Sequence, residues 1–132
     1  MTAQPLAGIS VLLVEDNTDG REMLEAFLRY VGASVRSAVN AEQAFELLEA
    51  SAPSVVITDI VLPGHDGLWL LERVRALPSR LPVIALTGRV LPADTVRLRA
   101  AGFDEHLAKP VDLHEVIATI VRLTGRPGSQ SG

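Results

Sequence analysis

The chain contains no cysteine. That excludes disulfides, thiol catalysis and cysteine-based zinc sites, while leaving the compartment open. Aromatic residues supply only 4% of the sequence, so a core has to be built from Leu, Val, Ile and Ala. No stretch approaches the roughly 20 apolar residues of a membrane span. The opening MTAQPLAGIS lacks both the basic and the long apolar region of a signal peptide. A cytoplasmic protein without membrane insertion is the expectation. Basic blocks are missing too: 12 Lys and Arg stand against 16 Asp and Glu, for a net charge of −4. The arginines are scattered and no aromatic stacking platform accompanies them, which argues against direct nucleic-acid binding. No glycine-rich phosphate loop occurs, and His65, His106 and His114 share no metal-ligand spacing.

What is present is a hydrophobic share of 48% in 132 residues. This suffices for one domain with a real core. Apolar runs alternate five times with helical periodicity, predicting a parallel sheet covered by helices on both faces. Val11–Val14, Val55–Ile57 and Val83–Leu86 read as strands buried on both sides. Ser34–Ala38 alternates polar and apolar residues, and the segment His106–Ala108 is short and mixed, so these suit the two edges. Right-handed crossovers then give the strand order 2-1-3-4-5.

The helices carry their own marks. Met23, Leu24, Phe27, Leu28 and Val31 form one apolar face, with Gly32 as its stop. Leu68, Leu71 and Val74 form the inward face of another, with Trp69 off that stripe and partly exposed. Asn40 with Gln43, and Asp112 with Glu115, have capping-box spacing. Pro92 opens and Gly102 closes the fourth helix, and Leu113, Val116, Ile117, Ile120 and Val121 stripe the fifth. The domain is expected over 8–124. Residues 1–7 and the Gly/Ser/Pro-rich 125–132 are expected to be flexible, with no second domain after 124.

The chemistry gathers at strand ends. Glu15 and Asp16 follow the first strand, Asp59 the third, Thr87 the fourth and Lys109 the fifth. A parallel sheet collects the carboxyl ends of its strands along one rim, and in this strand order the switch point falls beside Asp16 and Asp59. Three carboxylates brought together repel one another unless a cation compensates. Mg²⁺, or Mn²⁺, suits such oxygen ligands, with Asp16 and Asp59 as direct ligands and Glu15 acting through water. Asp59 is also a potential nucleophile toward a phosphoryl group. Lys109, the only lysine, would supply a cation for the phosphoryl oxygens. The Thr87 hydroxyl would donate to one of them, and Gly88 would allow close backbone approach.

These residues, with LPGHDG at 62–67 and AGFDEHLAKP at 101–110, resemble the receiver domain of two-component response regulators. The resemblance covers about residues 8–124, and the motifs occur in order at the right spacings. It implies a flavodoxin-like (βα)5 sandwich, either free-standing or belonging to a hybrid histidine kinase or a larger regulator. Asp59 would be the phosphoacceptor, charged from the phosphohistidine of a sensor histidine kinase or a phosphotransfer domain, and a downstream protein would read the outcome. The Val61 backbone carbonyl would be a further metal ligand, and Lys109-Pro110 would be a cis peptide. Thr87 and the residue at position 106 would form the switch. Position 106 is histidine where the family commonly has tyrosine or phenylalanine, so output through His106 would be feeble or pH-sensitive. Val61 and Arg89 flank the approach of water and orient it poorly, implying a long-lived acyl phosphate. A phosphohydrolase of the haloacid dehalogenase type would need an aspartate at position 61. A receiver-like module that is never phosphorylated is the other alternative.

Overall fold

The computed structural model of the protein describes residues 4–88 and 92–125, giving only the backbone at 92–94. Five strands and five helices alternate: β1 (Ser10–Val14), α1 (Thr18–Tyr30), β2 (Ser34–Ala38), α2 (Ala41–Ala50), β3 (Val55–Asp59), α3 (Gly67–Arg75), β4 (Val83–Thr87), α4 (Pro92–Ala101), β5 (Glu105–Ala108) and α5 (Leu113–Thr124). The strands form one sheet in the order β2-β1-β3-β4-β5, and every pairing is parallel. This is the flavodoxin-like doubly wound arrangement expected from the alternation.

Successive side chains of a strand point to opposite faces, and the core divides accordingly. Val11, Leu13, Val55, Ile57, Ile84 and Leu86 pack with Leu24 and Leu28 of α1 and Val116 and Ile120 of α5. Leu12, Val14, Val56, Val83 and Ala85 pack with Ala44 and Leu48 of α2 and Leu70, Leu71 and Val74 of α3. The central strands β1, β3 and β4 are apolar through their middles because both faces are covered.

Two helix faces differ from the sequence expectation. In α3 the buried residues are Gly67, Leu70, Leu71 and Val74, a true i, i+3, i+4, i+7 set, while Leu68 is 40% exposed. The helix begins at Gly67 and sets its phase by packing that residue on the backbone after β3. In α1 Leu24 and Leu28 are buried, whereas Met23, one step off their row, is 55% exposed.

The expected caps are present: Asn40 Oδ1 accepts from the Gln43 N–H at 2.7 Å, and Asp112 Oδ1 from the His114 N–H at 2.9 Å. Gly32 and Gly102 both take positive φ where their helices end. The expectation of a loose lead-in does not extend to Leu6, which is fully buried with its N–H on the Val31 carbonyl at 3.0 Å. Gly125 caps α5 in the left-handed conformation, and residues 126–132 lie outside the described residues. No helix among the described residues is long and apolar enough to cross a membrane.

Candidate phosphoryl-acceptor site

The sheet register builds the site. Asp59 pairs with Leu86, and Thr87 pairs with Ala108, so β3, β4 and β5 end side by side. The Lys109 N–H then donates to the Thr87 carbonyl at 2.7 Å, extending the ladder by one residue. On the other side of β3, Glu15 leaves β1 with its N–H on the Ala38 carbonyl at 3.1 Å. All of the sequence-predicted strand-end residues arrive on this one rim.

Glu15, Asp59 and Thr87 are buried, while Asp16 is exposed. One carboxylate oxygen from each of Glu15, Asp16 and Asp59 falls within 4.8 Å of the others. Lys109 Nζ donates to Glu15 Oε1 at 2.7 Å and to Asp59 Oδ2. Burial disfavours the ammonium, but its hydrogen bonds to Asp59 and Glu15 and the charges of both hold the Lys109 pKa above the ordinary lysine value. The stability from this pairing is therefore complete below pH 10.5 and is lost as pH rises through the raised value.

The remaining oxygens are also fixed. Glu15 Oε2 accepts from the Asn17 N–H at 3.0 Å, and Asp59 Oδ1 accepts from the Val61 N–H at 3.0 Å. Arg21 Nη1 holds the Glu15 carbonyl at 3.0 Å. With both oxygens of Glu15 engaged inside the protein, Asp16 is the carboxylate presented to solvent. Thr87 Oγ1 is buried with no hydrogen-bond partner among the described residues, although a buried hydroxyl ordinarily finds one. An acceptor oxygen brought to this rim would satisfy it. The donor set fits a hard divalent cation beside a phosphoryl group.

The Lys109-Pro110 peptide is cis. His106 is part-buried, its Nε2 at 3.5 Å from Thr95 Oγ1 of α4. Val61 is well exposed. A Cβ at Gly88 would meet nothing within 4 Å among the described residues, so the space beside it is open. Arg89 lies outside the described residues. A groove of about 710 Å³ opens beside Asp59 and Thr87 toward Leu68 and Leu98. Another of about 400 Å³ lies between α1 and Lys109, bordered by Asn17, Met23 and Pro110.

Sequence reasoning missed three supporting residues. Asn17 caps α1 through the Gly20 N–H at 2.7 Å while its own N–H orients Glu15, and its place before the helix was the available signal. Asp66 caps α3 through the Trp69 N–H at 3.0 Å. Gly67 donates to the Ile60 carbonyl at 2.8 Å, and a Cβ there would lie 2.7 Å from the Asp59 carbonyl oxygen and 2.9 Å from Ile60 Cα. Both atoms belong to backbone that cannot yield cheaply. Gly67→Ala is thus expected to destabilise the protein by about 1–3 kcal/mol, as overpacking does. Urea unfolding measures it, and an unchanged midpoint would show that α3 can shift away.

The sequence pattern of the response regulator receiver domain matches residues 11–121. An uncharacterised 14.6 kDa protein of Leptolyngbya boryana is 40% identical over 119 residues, covering 89% of this chain and 91% of that protein. Response regulator Rre1 of Synechocystis is 37% identical over 126 residues, 93% of this chain but 54% of that regulator. The chain thus spans about half the length of such a regulator. Among solved structures, the receiver domain of sensor histidine kinase PA1611 from Pseudomonas aeruginosa superposes with a TM-score of 0.82 at 34% identity, over 91% of this chain and 100% of that one. That structure has a magnesium ion coordinated in its active-site cleft.

Proposed function

Because the chain belongs to the response regulator receiver family of two-component signalling, we propose that Asp59 accepts a phosphoryl group from a phosphohistidine. The donor is a sensor histidine kinase or a phosphotransfer domain, and the charged form alters a surface read by a downstream protein. A carboxylate oxygen of Asp59 bonds to phosphorus as the phosphorus–nitrogen bond breaks, and the imidazole leaves with the electron pair. Asp16, Asp59 and the Val61 carbonyl, with Glu15 through water, would hold a divalent cation, which would supply positive charge to the phosphoryl oxygens.

Lys109 already touches Asp59 and needs only to turn toward the arriving oxygens. Thr87 donates to another of them and moves toward the group, with His106 repacking behind it as the second switch residue. The observation that carries this reading is the buried Thr87 hydroxyl, without a hydrogen-bond partner among the described residues, beside the Asp59–Lys109 pair. A receiver is a signalling module, and its only chemistry is the gain and loss of its own phosphoryl group.

The test is intact-protein mass after incubation with Mg²⁺ and acetyl phosphate, beside Asp59→Asn. A single phosphoryl adduct that requires Mg²⁺ and vanishes in the variant is expected. Absence of the adduct, or its survival in Asp59→Asn, would overturn the assignment.

A further inference from the structure

The segment 60–66, between β3 and α3, carries Val61, whose carbonyl the receiver reading gives to the metal. Its base is held by two hydrogen bonds, Val61 N–H to the side-chain Asp59 Oδ1 and Gly67 N–H to the Ile60 carbonyl. Its apex is held differently. The His65 ring stacks on Trp69 of α3 with centroids 4.2 Å apart and planes 7° from parallel. The Arg73 guanidinium carbon lies 4.2 Å from the centroid of the same Trp69 ring. Phe45 of α2 meets Trp69 edge-on, with centroids 6.1 Å apart. Glu42 of α2 reaches His65 Nε2 at 3.7 Å. Gly64, at φ +77°, lets the Glu42 carboxylate approach so closely that a Cβ would stand 3.2 Å from its Oε2. The apex is thereby bound to α2 and α3, both seated in the core.

The geometry has a direction. Stacked aromatic planes hold orientation better than an exposed ion pair, which contributes little. His65 and Glu42 are each half exposed, so the Trp69 stack is the stronger of the two restraints. Trp69 itself is fixed by the Asp66 cap on its N–H and by Phe45. A restraint at the apex limits how far the carbonyl of Val61 can swing at the base, as outer-shell contacts do for metal ligands.

We propose that His65 is a positioning residue: its stack on Trp69 latches the β3–α3 loop and sets the affinity of the Asp59 rim for Mg²⁺. The proposal rests on the receiver reading of that rim. It assigns no ligand role to His65.

The experiment compares the full-length wild type with His65→Ala, which removes the stack, and His65→Phe, which keeps an aromatic plane and removes the Glu42 pair. Mg²⁺ binding is measured by calorimetry. The exposure of Trp69, the only tryptophan, is measured by acrylamide quenching of its emission. In His65→Ala the Mg²⁺ dissociation constant should rise about tenfold, the low end of outer-shell effects, and quenching should increase. His65→Phe should restore both to within about twofold of wild type. Thermal midpoints without Mg²⁺ should coincide, because the site of substitution is half exposed. Equal Mg²⁺ affinity in wild type and His65→Ala would overturn the latch, and so would a His65→Phe protein that behaves like the alanine variant. Failure of the wild type itself to bind Mg²⁺ would overturn the receiver reading and the latch together, and is told apart by that one protein.

Discussion

Lys109→Met should destabilise the metal-free protein by about 2–4 kcal/mol, and Mg²⁺ should recover more stability in the variant than in the wild type. Lys109 is the only side chain that bridges Glu15 and Asp59 among the described residues. Removing one partner of a buried pair leaves the other charge uncompensated, which costs about 3–5 kcal/mol in a dry interior. The Lys109 side chain is 34% exposed, so water screens part of that loss and the lower range applies. Methionine retains most of the apolar stem, which limits the packing loss. The carboxylates left behind then depend on the divalent ion for compensation, so binding linkage should widen the stability gap between metal-free and Mg²⁺-saturated protein. Urea unfolding of both proteins, with and without saturating Mg²⁺, measures this. An identical Mg²⁺ increment in the two proteins would mean that Lys109 does not compete with the cation for these carboxylates. The same variant should also form less adduct with acetyl phosphate, since no ammonium would remain to meet the phosphoryl oxygens.

This coupling marks where the sequence stops being readable. That Glu15, Asp59, Thr87 and Lys109 share a rim follows from strand order, because each ends an apolar run and parallel strands end together. The continuous runs Val55–Ile57 and Val83–Leu86 announced buried central strands in the same way. Which oxygen each group contacts was not legible. Glu15 and Lys109 stand 94 residues apart, and the carboxylate meets the lysine through Oε1 while the Asn17 N–H anchors its second oxygen. The inward face of α3 was misread because Leu68, Leu70 and Leu71 all fit some helical row, and only the seating of Gly67 on Ile60 selects among them. The His65–Trp69 stack depends on the left-handed turn at Gly64, and no periodicity in LPGHDG predicts that.

The rim is kept separate from what holds the sheet at its opposite end. At the rim the polar groups line the proposed phosphoryl site, and Thr87 Oγ1 has no hydrogen-bond partner among the described residues. At the amino ends of β4 and β5 every oxygen of one carboxylate is used. A stable far end allows the site to keep its mutually repelling carboxylates. The two ends should therefore respond differently to substitution, the rim in both folding and ligand affinity and the far end in folding alone.

Asp104→Ala should be a folding lesion of that second kind, at about 2–4 kcal/mol, with phosphoryl acceptance intact. Asp104 Oδ2 accepts from Arg75 Nη2 at 2.7 Å and from the Val83 N–H at 2.7 Å. Its Oδ1 accepts from Arg80 Nη2 at 2.5 Å, and its own N–H donates to the Val83 carbonyl at 2.9 Å. Arg75 also holds the carbonyls of Leu81 at 2.6 Å and Gly102 at 2.7 Å, so one carboxylate ties α3, β4 and the start of β5 together. Hydrogen bonds to charged groups contribute about 1.5–3 kcal/mol each. They are not additive here, because Arg80 is largely exposed and contributes little. Asp104→Asn keeps an acceptor for Val83 and should lose about half as much. Burial disfavours the carboxylate, but the hydrogen bonds from Arg80, the Val83 N–H and Arg75, with the charge of Arg75, hold the Asp104 pKa below the ordinary 3.8. Between the folded and unfolded values the unfolded chain binds the extra proton, so stability rises with pH there. The contribution of the ionised group is complete above the ordinary value and fades as pH falls through the lowered one. The stability gap between wild type and Asp104→Asn should accordingly stay constant from pH 7 to about pH 5 and narrow below 3.8. Urea midpoints across that range measure it. A gap that persists undiminished at the acid end would show that asparagine costs the fold by its shape, with the charge on Asp104 contributing nothing.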